Sequence, residues 1–222
     1  MITLLYEDSD IIAVEKPEGI AAIPERKQEA ENLLALVSKQ CNTRLFIVHR
    51  IDKEVSGVML FAKNAAAHKI VNDQFAERKV KKLYQALLLG NVVQEQQTIK
   101  RSIRQFGSGR MGVDDAKGKP CTTNMRVIKR CDSATLVEAS PVTGRRHQIR
   151  VHFYSIGHPV AGDLRYGDRN IQSLWPRLML HACSIGFTLP SGKPLVVESP
   201  LSSSFEEALA AKCCIQQEKI PN

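Results

Sequence analysis

The sequence contains no run of about 18 consecutive apolar residues, the length a helix needs to cross a bilayer, so no membrane span is expected from it. It also lacks the opening of a secretory leader. Met1 to Asp8 turns acidic after a short apolar run, whereas a leader starts basic and carries a longer apolar core. The six cysteines, at positions 41, 121, 131, 183, 213 and 214, include no Cys-x-x-Cys pair. That argues against a zinc site and for the free thiols of a cytoplasmic protein. His147 and His152 are five apart and do not share a helical face, so the histidines offer no metal-ligand spacing either. A metal-dependent hydrolase is thereby disfavoured, and no metal is expected. Internal repeats, low-complexity tracts and a convincing linker are all missing. The 222 residues are expected to form a single domain over 1–222.

What the chain has in excess is positive charge. The formal net charge is +8 and the pI about 9.3, with an ordinary 43% of hydrophobic residues. Such an excess favours a polyanionic partner, nucleic acid being the usual one, although a generally basic protein would share it.

Read in order, Ile2 to Tyr6 and Ile11 to Val14 are β-rich runs joined by Glu7-Asp8-Ser9-Asp10, a turn composition, and predict a hairpin. Lys16-Pro17-Glu18-Gly19 ends the second strand, with Lys16 read as a plain strand-end lysine. The loop continues through Pro24 to Arg26. Gln28 to Gln40 reads as a helix with Leu33, Leu34 and Val37 on one face. Leu45 to Val48 and Val58 to Ala62 are short apolar strands. Asn64 is placed to cap a helix running to about Lys79, with Ile70, Val71 and Phe75 on its apolar stripe. The cationic end of that helix, 77 to 82, suits either a solvated helix terminus or a phosphate contact. Leu83 to Leu89, Ile99 to Ile103, Cys121 to Lys129 and Ala134 to Ala139 read as strands, the last two antiparallel. Gln105 to Pro120, rich in Gly, Lys and Arg, predicts a mobile basic loop. A helix over 146 to 156 ends at Gly157, where a C-terminal cap belongs, and puts His147 and Arg150 on one face. Ser203 to Cys213 predicts a last helix packing through Phe205 and Leu209.

Chemistry concentrates in the turn His49-Arg50-Ile51-Asp52-Lys53-Glu54-Val55-Ser56-Gly57, between two strands. Asp52 stands there among cations, which keep a carboxylate ionised as a nucleophile or base. The local pattern alone also suits a solvated surface turn. Tyr84, in Lys82-Leu83-Tyr84-Gln85-Ala86, has the bland alternative of strand packing, and His181 that of a satisfied core histidine.

Three segments together carry a family resemblance. His49-Arg50-Ile51-Asp52 with Ser56-Gly57 resembles the catalytic signature of the RluA family of RNA pseudouridine synthases, with Val55 where that family usually has Thr. Lys82-x-Tyr84-x-Ala86 resembles its Lys-x-Tyr-x-Ala strand. Thr143-Gly144-Arg145-Arg146-His147-Gln148-Ile149-Arg150-Val151-His152, followed by Gly157-His158-Pro159 and Gly162-Asp163, is similar to its third motif. The opening strands, Lys16-Pro17-Glu18-Gly19 and Leu180-His181-Ala182 agree too, so the resemblance runs from about residue 4 to residue 200.

The resemblance implies a mixed α+β fold with a bent, largely antiparallel sheet, flanking helices and a central RNA-binding cleft. It implies isomerisation of uridine to pseudouridine in ribosomal or transfer RNA, by a monomer without a cofactor. Asp52, Tyr84 and Arg150 take the catalytic places: Asp52 as the carboxylate, Tyr84 stacking on the base and assisting proton removal, Arg150 pairing with Asp52. Arg50, His49 and His147 are the implied substrate contacts, with Arg50 helping to displace the flipped base. Asp163 reads as structural. An RNA-binding protein of the same fold that has lost catalysis is the alternative.

Overall fold

The computed structural model describes residues 1–24 and 31–212. Its first half is a hairpin, β1 (Leu4–Glu7) and β2 (Ile11–Lys16), then helix α1 (Leu33–Gln40), a short strand β3 (Phe46–Ile47), strand β4 (Ser56–Ala62) and helix α2 (Ala65–Ala76). Strands β5 (Lys81–Leu89), β6 (Gln96–Lys100), β7 (Ile103–Gln105), β8 (Met111–Val113), β9 (Thr122–Arg130) and β10 (Ala134–Pro141) follow. The chain continues through α3 (Gln148–Ser155), the single turn α4 (Arg169–Gln172), β11 (Leu180–Thr188), β12 (Pro194–Glu198) and α5 (Ser203–Lys212).

Ten strands form one sheet in the order β1-β2-β4-β11-β5-β10-β9-β6, with β3 added to β4 and β12 to β11. All its pairings are antiparallel except that of β4 with β11. This is the mixed, largely antiparallel α+β architecture expected. The parallel join is short: His181 faces Ser56 and Ala182 faces Gly57. Ala182 also faces Tyr84 on its other side, and Tyr84 faces Ala139. Register thus lines up the residue that ends the 49–57 turn with the tyrosine two strands away.

Every residue of β4 is buried, as are Ile11 to Val14 of β2. Both strands read as continuous apolar runs because structure covers both faces. Helix α2 packs its buried Ala67 and Val71 toward β4 and β11, and Asn64 caps it by accepting from the Ala67 N–H at 2.9 Å. It stops at Ala76 rather than near Lys79 because Arg78 adopts a left-handed conformation, φ 59°, that reverses the chain into β5. Ile70, expected on the apolar stripe, is exposed. Helix α1 starts at Leu33, where Asn32 accepts from the Ala35 N–H, and not at Gln28, which lies outside the described residues, as do Arg26 and Cys213.

The largest departure is at 105–120. The segment is built rather than loose: β7 and β8 pair as a two-stranded sheet, and Met111 packs with Ile103, Cys121, Val151 and Tyr166 in a second small core. Few apolar residues mark it in the sequence because their packing partners come from α3 and from Tyr166. Among the described residues Cys41, Cys121 and Cys183 are free thiols, as expected. None of the described helices is long and apolar enough to cross a membrane.

Gly57 holds the parallel join together. Its φ is 115°, and a Cβ there would meet the Ala182 carbonyl oxygen at 2.2 Å and its nitrogen at 2.6 Å. Gly57→Ala is expected to lose roughly 2–4 kcal/mol of stability, from backbone strain plus overpacking against backbone that cannot yield. A urea midpoint equal to that of the parent protein would contradict this.

Candidate active site

The 49–57 turn is fastened from below by Lys16. This residue is fully buried, and its Nζ donates to the carbonyls of Pro17 at 2.7 Å, Ile20 at 2.8 Å and Lys53 at 3.0 Å. Burial pushes its pKa down to about 7. Three acceptors around one nitrogen match the three protons of the ammonium, so the geometry is that of the charged form. The reading of Lys16 as a plain strand-end lysine is corrected here: it is the internal tie of the turn that carries Asp52.

His49 starts the turn. Its Nε2 accepts the Leu60 N–H at 3.0 Å, and its ring stacks on Phe75 at 5.1 Å. Burial, with the charge of Lys82 adding to it, pushes its pKa down to about 3. His49 is therefore a neutral wall of the site whose acceptor nitrogen is already committed to backbone.

Arg150 is the hub. It projects from α3, all but buried, and clasps Asp163 with two parallel bonds, Nε to Oδ2 at 2.7 Å and Nη2 to Oδ1 at 2.8 Å. Asp163 is itself sealed off and accepts the N–H groups of Arg165 and Tyr166 at 3.0 and 3.2 Å. The remaining edge of the guanidinium, Nη1, reaches Asp52 Oδ2 at 3.2 Å and Glu54 Oε2 at 3.4 Å. The expected pairing of Arg150 with Asp52 is present, across a sequence separation of 98 residues. The contacts with Asp163 are shorter, so Asp163 fixes the arginine and the arginine in turn fixes Asp52. The hydrogen bonds to Asp163 and the nearby carboxylates raise the Arg150 pKa despite its burial, so its charge is permanent.

His147 precedes α3 in a left-handed conformation, φ 54°. Its Nδ1 lies 2.8 Å from the Tyr166 hydroxyl, which also accepts the Met111 N–H at 3.2 Å. With the ring proton on Nε2, the hydroxyl donates to Nδ1 and the Nε2–H faces Asp52 Oδ2 at 3.8 Å. Burial first, then Arg150, Arg146 and Arg165, push the His147 pKa down to about 3. The contact with Asp52 is thus dipolar rather than an ion pair. Gln148 divides its amide between the preceding turn and β9: Oε1 accepts from Thr143 Oγ1 at 2.6 Å and the Arg145 N–H at 3.1 Å, while Nε2 donates to Thr122 O and Thr123 Oγ1, both at 3.0 Å. This holds the Thr143–Arg145 rim above the site.

These residues surround a cavity of about 550 Å³, within the usual size of a small-molecule site. Arg50, Arg78, Lys82, Arg145 and Arg150 line it, with Asp52 the sole carboxylate among the described lining residues. Asp52 is partly open, its side chain 24% exposed. Tyr84 lies in the wall, and burial plus the charge of Asp52 raise its phenol pKa well above the usual value, so the hydroxyl keeps its proton. Lys82 has one long bond, to Thr143 O at 3.4 Å, and burial lowers its pKa. His181, read as a satisfied core histidine, is that: it is fully buried, between Ser56 Oγ at 2.8 Å and Ser199 O at 3.2 Å.

All six residues singled out in the sequence, Asp52, Tyr84, Arg150, Arg50, His49 and His147, line this one cavity. Lys82, read as part of a cationic segment suited to phosphate contact, lines the cavity too; Tyr166 and the clasping role of Asp163 are not read from the sequence. Asp163 does stand in the Gly162-Asp163 segment of the third motif, with Tyr166 three residues after it, which is the signal that could have found them. Among the described residues no cluster suited to a metal ion occurs.

Five cations around one carboxylate select a polyanion, and a cavity of this size accepts one planar ring from it. That combination defines an enzyme acting on a nucleic-acid base. Comparison with known proteins gives the class its particular form. A family model described as RNA pseudouridylate synthase matches residues 10–155. The ribosomal large subunit pseudouridine synthase C of Vibrio cholerae is 38% identical over 213 residues, 93% of this chain and 68% of that protein. The Escherichia coli protein of the same name is 36% identical over 219 residues, again 93% and 68%. The solved structure of human RNA pseudouridylate synthase domain containing 1 superposes with a TM-score of 0.81 at 29% identity, covering 94% of this chain and 87% of that one. The chain belongs to the RluA family of RNA pseudouridine synthases, which are RNA isomerases.

Two histidines held neutral make the site acid-sensitive. Their folded pKa of about 3 lies below the unfolded value of roughly 6.5. Between those values the unfolded chain binds more protons, so stability falls as pH falls through that window. His49→Gln is expected to flatten the acid limb between pH 6.5 and 3, by up to about 1.4 kcal/mol per pH unit. Parallel limbs for the variant and parent, by urea unfolding at several pH values, would refute the assignment.

Proposed function

We propose that this protein converts uridine to pseudouridine in large-subunit ribosomal RNA, with Asp52 as the catalytic carboxylate. The observation that carries the reading is the isolation of Asp52: one carboxylate, held by Arg150, among five cations in a ring-sized cavity. The names of the similar proteins from Vibrio cholerae and Escherichia coli favour ribosomal RNA over transfer RNA. The same reading takes residues 1–222 as one catalytic unit working as a monomer in the cytoplasm.

The reaction breaks the N1–C1′ bond of uridine and makes a C5–C1′ bond to the same ribose. A proton is lost from C5 and one is gained at N1, so no electrons or groups are exchanged with a cofactor. The target base first leaves its stack, which costs a few kcal/mol. Arg50, exposed at the rim next to Asp52, is placed to fill the vacated position. Arg78, Lys82 and Arg145 meet the phosphates, and the Tyr84 ring packs on the uracil. Asp52 is the anion that acts on the ribose or its proton. Arg150 holds it in place, and the Nε2–H of His147 steadies it. A phenol with a raised pKa is a poor standing base, so Tyr84 assists loss of the C5 proton by accepting it while its own proton is given up toward N1, the atom of the uracil that gains one.

Deleting the gene is expected to remove specific pseudouridines from large-subunit RNA. Restoring the parent gene should return them, and restoring Asp52→Asn should not. Purified Asp52→Asn should lose at least about a thousandfold in turnover, roughly 4 kcal/mol of transition-state stabilisation, while binding RNA as tightly as the parent. An unchanged pseudouridine map, or a variant within a few-fold of the parent, would overturn the reading. Tyr84→Phe should bind RNA normally and lose most turnover; full activity would remove any chemical role for the hydroxyl.

A further inference from the structure

The chain's single tryptophan, Trp175, lines a second cavity of about 670 Å³ that shares Arg150 with the first. Its walls are mostly apolar, from Trp175, Leu164, Pro176 and Leu178, with Arg165 and Glu54 as its less committed charges. Glu18 and Arg177 also border it but hold each other at 2.7 Å, and Ser204 donates to Glu18 at 2.9 Å. Leu164 is 60% exposed, so an apolar surface opens directly beside a site for RNA.

We propose that this second cavity receives the base of a nucleotide flanking the target uridine, stacked beside Trp175, and that Glu54 selects a base with an exocyclic amino group. The inference rests on the RNA reading of the first cavity. Three observations carry it. The first is continuity: Arg150 Nη1 touches Asp52 of one cavity at 3.2 Å and Glu54 of the other at 3.4 Å, so the two spaces are separated by one guanidinium. Neighbouring bases of one strand need adjoining spaces of this kind. The second is the character of the walls. An aromatic ring with aliphatic neighbours takes the flat face of a base. Arg165 lines the second cavity and is near enough to His147 of the first to act on its charge, which suits the phosphate joining two nucleotides.

The third observation is Glu54 itself. Its side chain is 56% exposed and held only by a long contact with Arg150, whereas Asp52 lies deeper and closer. A carboxylate only accepts hydrogen bonds. The amino groups of cytosine, adenine and guanine donate to it. Uracil presents O4 where cytosine presents its amino group, so two acceptors would face each other. Cytosine and uracil otherwise stack alike, which makes them a matched pair.

Because Trp175 is the only indole, its fluorescence reports this cavity without any label. The parent protein is titrated at constant salt with a short oligonucleotide of one uridine flanked by cytidines and with oligouridylate of the same length. Quenching by the cytidine-flanked oligomer is expected, with binding about tenfold tighter than for oligouridylate, and Glu54→Gln should erase the difference. Glu54 lies at the surface, so this variant should fold as the parent does. No change in emission with either oligomer, equal affinity for both in the parent, or a preference that survives Glu54→Gln would each overturn the proposal. The emission is read without turnover. A silent Trp175 in a protein that makes pseudouridine sinks this inference alone. Quenching that persists when Asp52→Asn proves fully active supports base docking while the catalytic assignment falls.

Discussion

One guanidinium organises this protein. Arg150 meets three carboxylates with its two edges: Asp163 takes one edge whole, and Asp52 and Glu54 divide the other. Its helix, α3, is buried from Gln148 to Phe153, so the arginine cannot swing away to solvent. A buried charge is costly unless paired and hydrogen-bonded. Here Asp163 supplies both needs, which frees Nη1 to face an anion that stays partly in water. Position therefore passes from core to cleft in order: Asp163 to Arg150 to Asp52. Lys16 works from the opposite side, holding the backbone of the same turn through Lys53 O. The carboxylate is fixed both through its side chain and through its main chain.

Much of this was legible in the sequence, for identifiable reasons. β2 and β4 announce themselves because both faces are covered and their apolar runs are unbroken. Asn64 is readable as a cap because capping is local. The six site residues could be singled out because each stands in a motif whose spacing survives in this chain, and the motifs converge on one cavity. What stayed hidden depends on distant partners. Lys16 looks like any lysine at a strand end, since nothing local shows that three carbonyls close around it. Met111 sits in a stretch that reads as loop because the side chains burying it, Val151 and Tyr166, lie far along the chain. The parallel join of β4 to β11 has no local signature either, being set by the pairing of Gly57 with Ala182.

Neutral histidines are the second theme of the site. His49 and His147 both lose their usual basicity to burial and neighbouring cations, and both have a ring nitrogen committed within the fold. Charge in the cleft is thus left to the arginines, to Lys82 and to Asp52. Such a division suits chemistry on a polyanion: the cations attract the strand, and the imidazoles shape the floor without competing for it.

The alignment of Gly57, Ala182 and Tyr84 across three adjacent strands has a mechanical consequence. Carboxylate turn and tyrosine belong to the same hydrogen-bonded sheet, joined at a point where no side chain fits between the backbones. Adjacent strands lie about 4.8 Å apart, a spacing the ladder does not allow to vary much. The floor of the cleft is therefore a rigid gauge that fixes the spacing between the end of the turn and the tyrosine strand before any RNA arrives. A gauge of that kind does not wrap itself round its substrate. On the proposed function, the bending and unstacking fall to the nucleic acid, and the ease with which a given stretch of RNA deforms becomes part of how it is chosen.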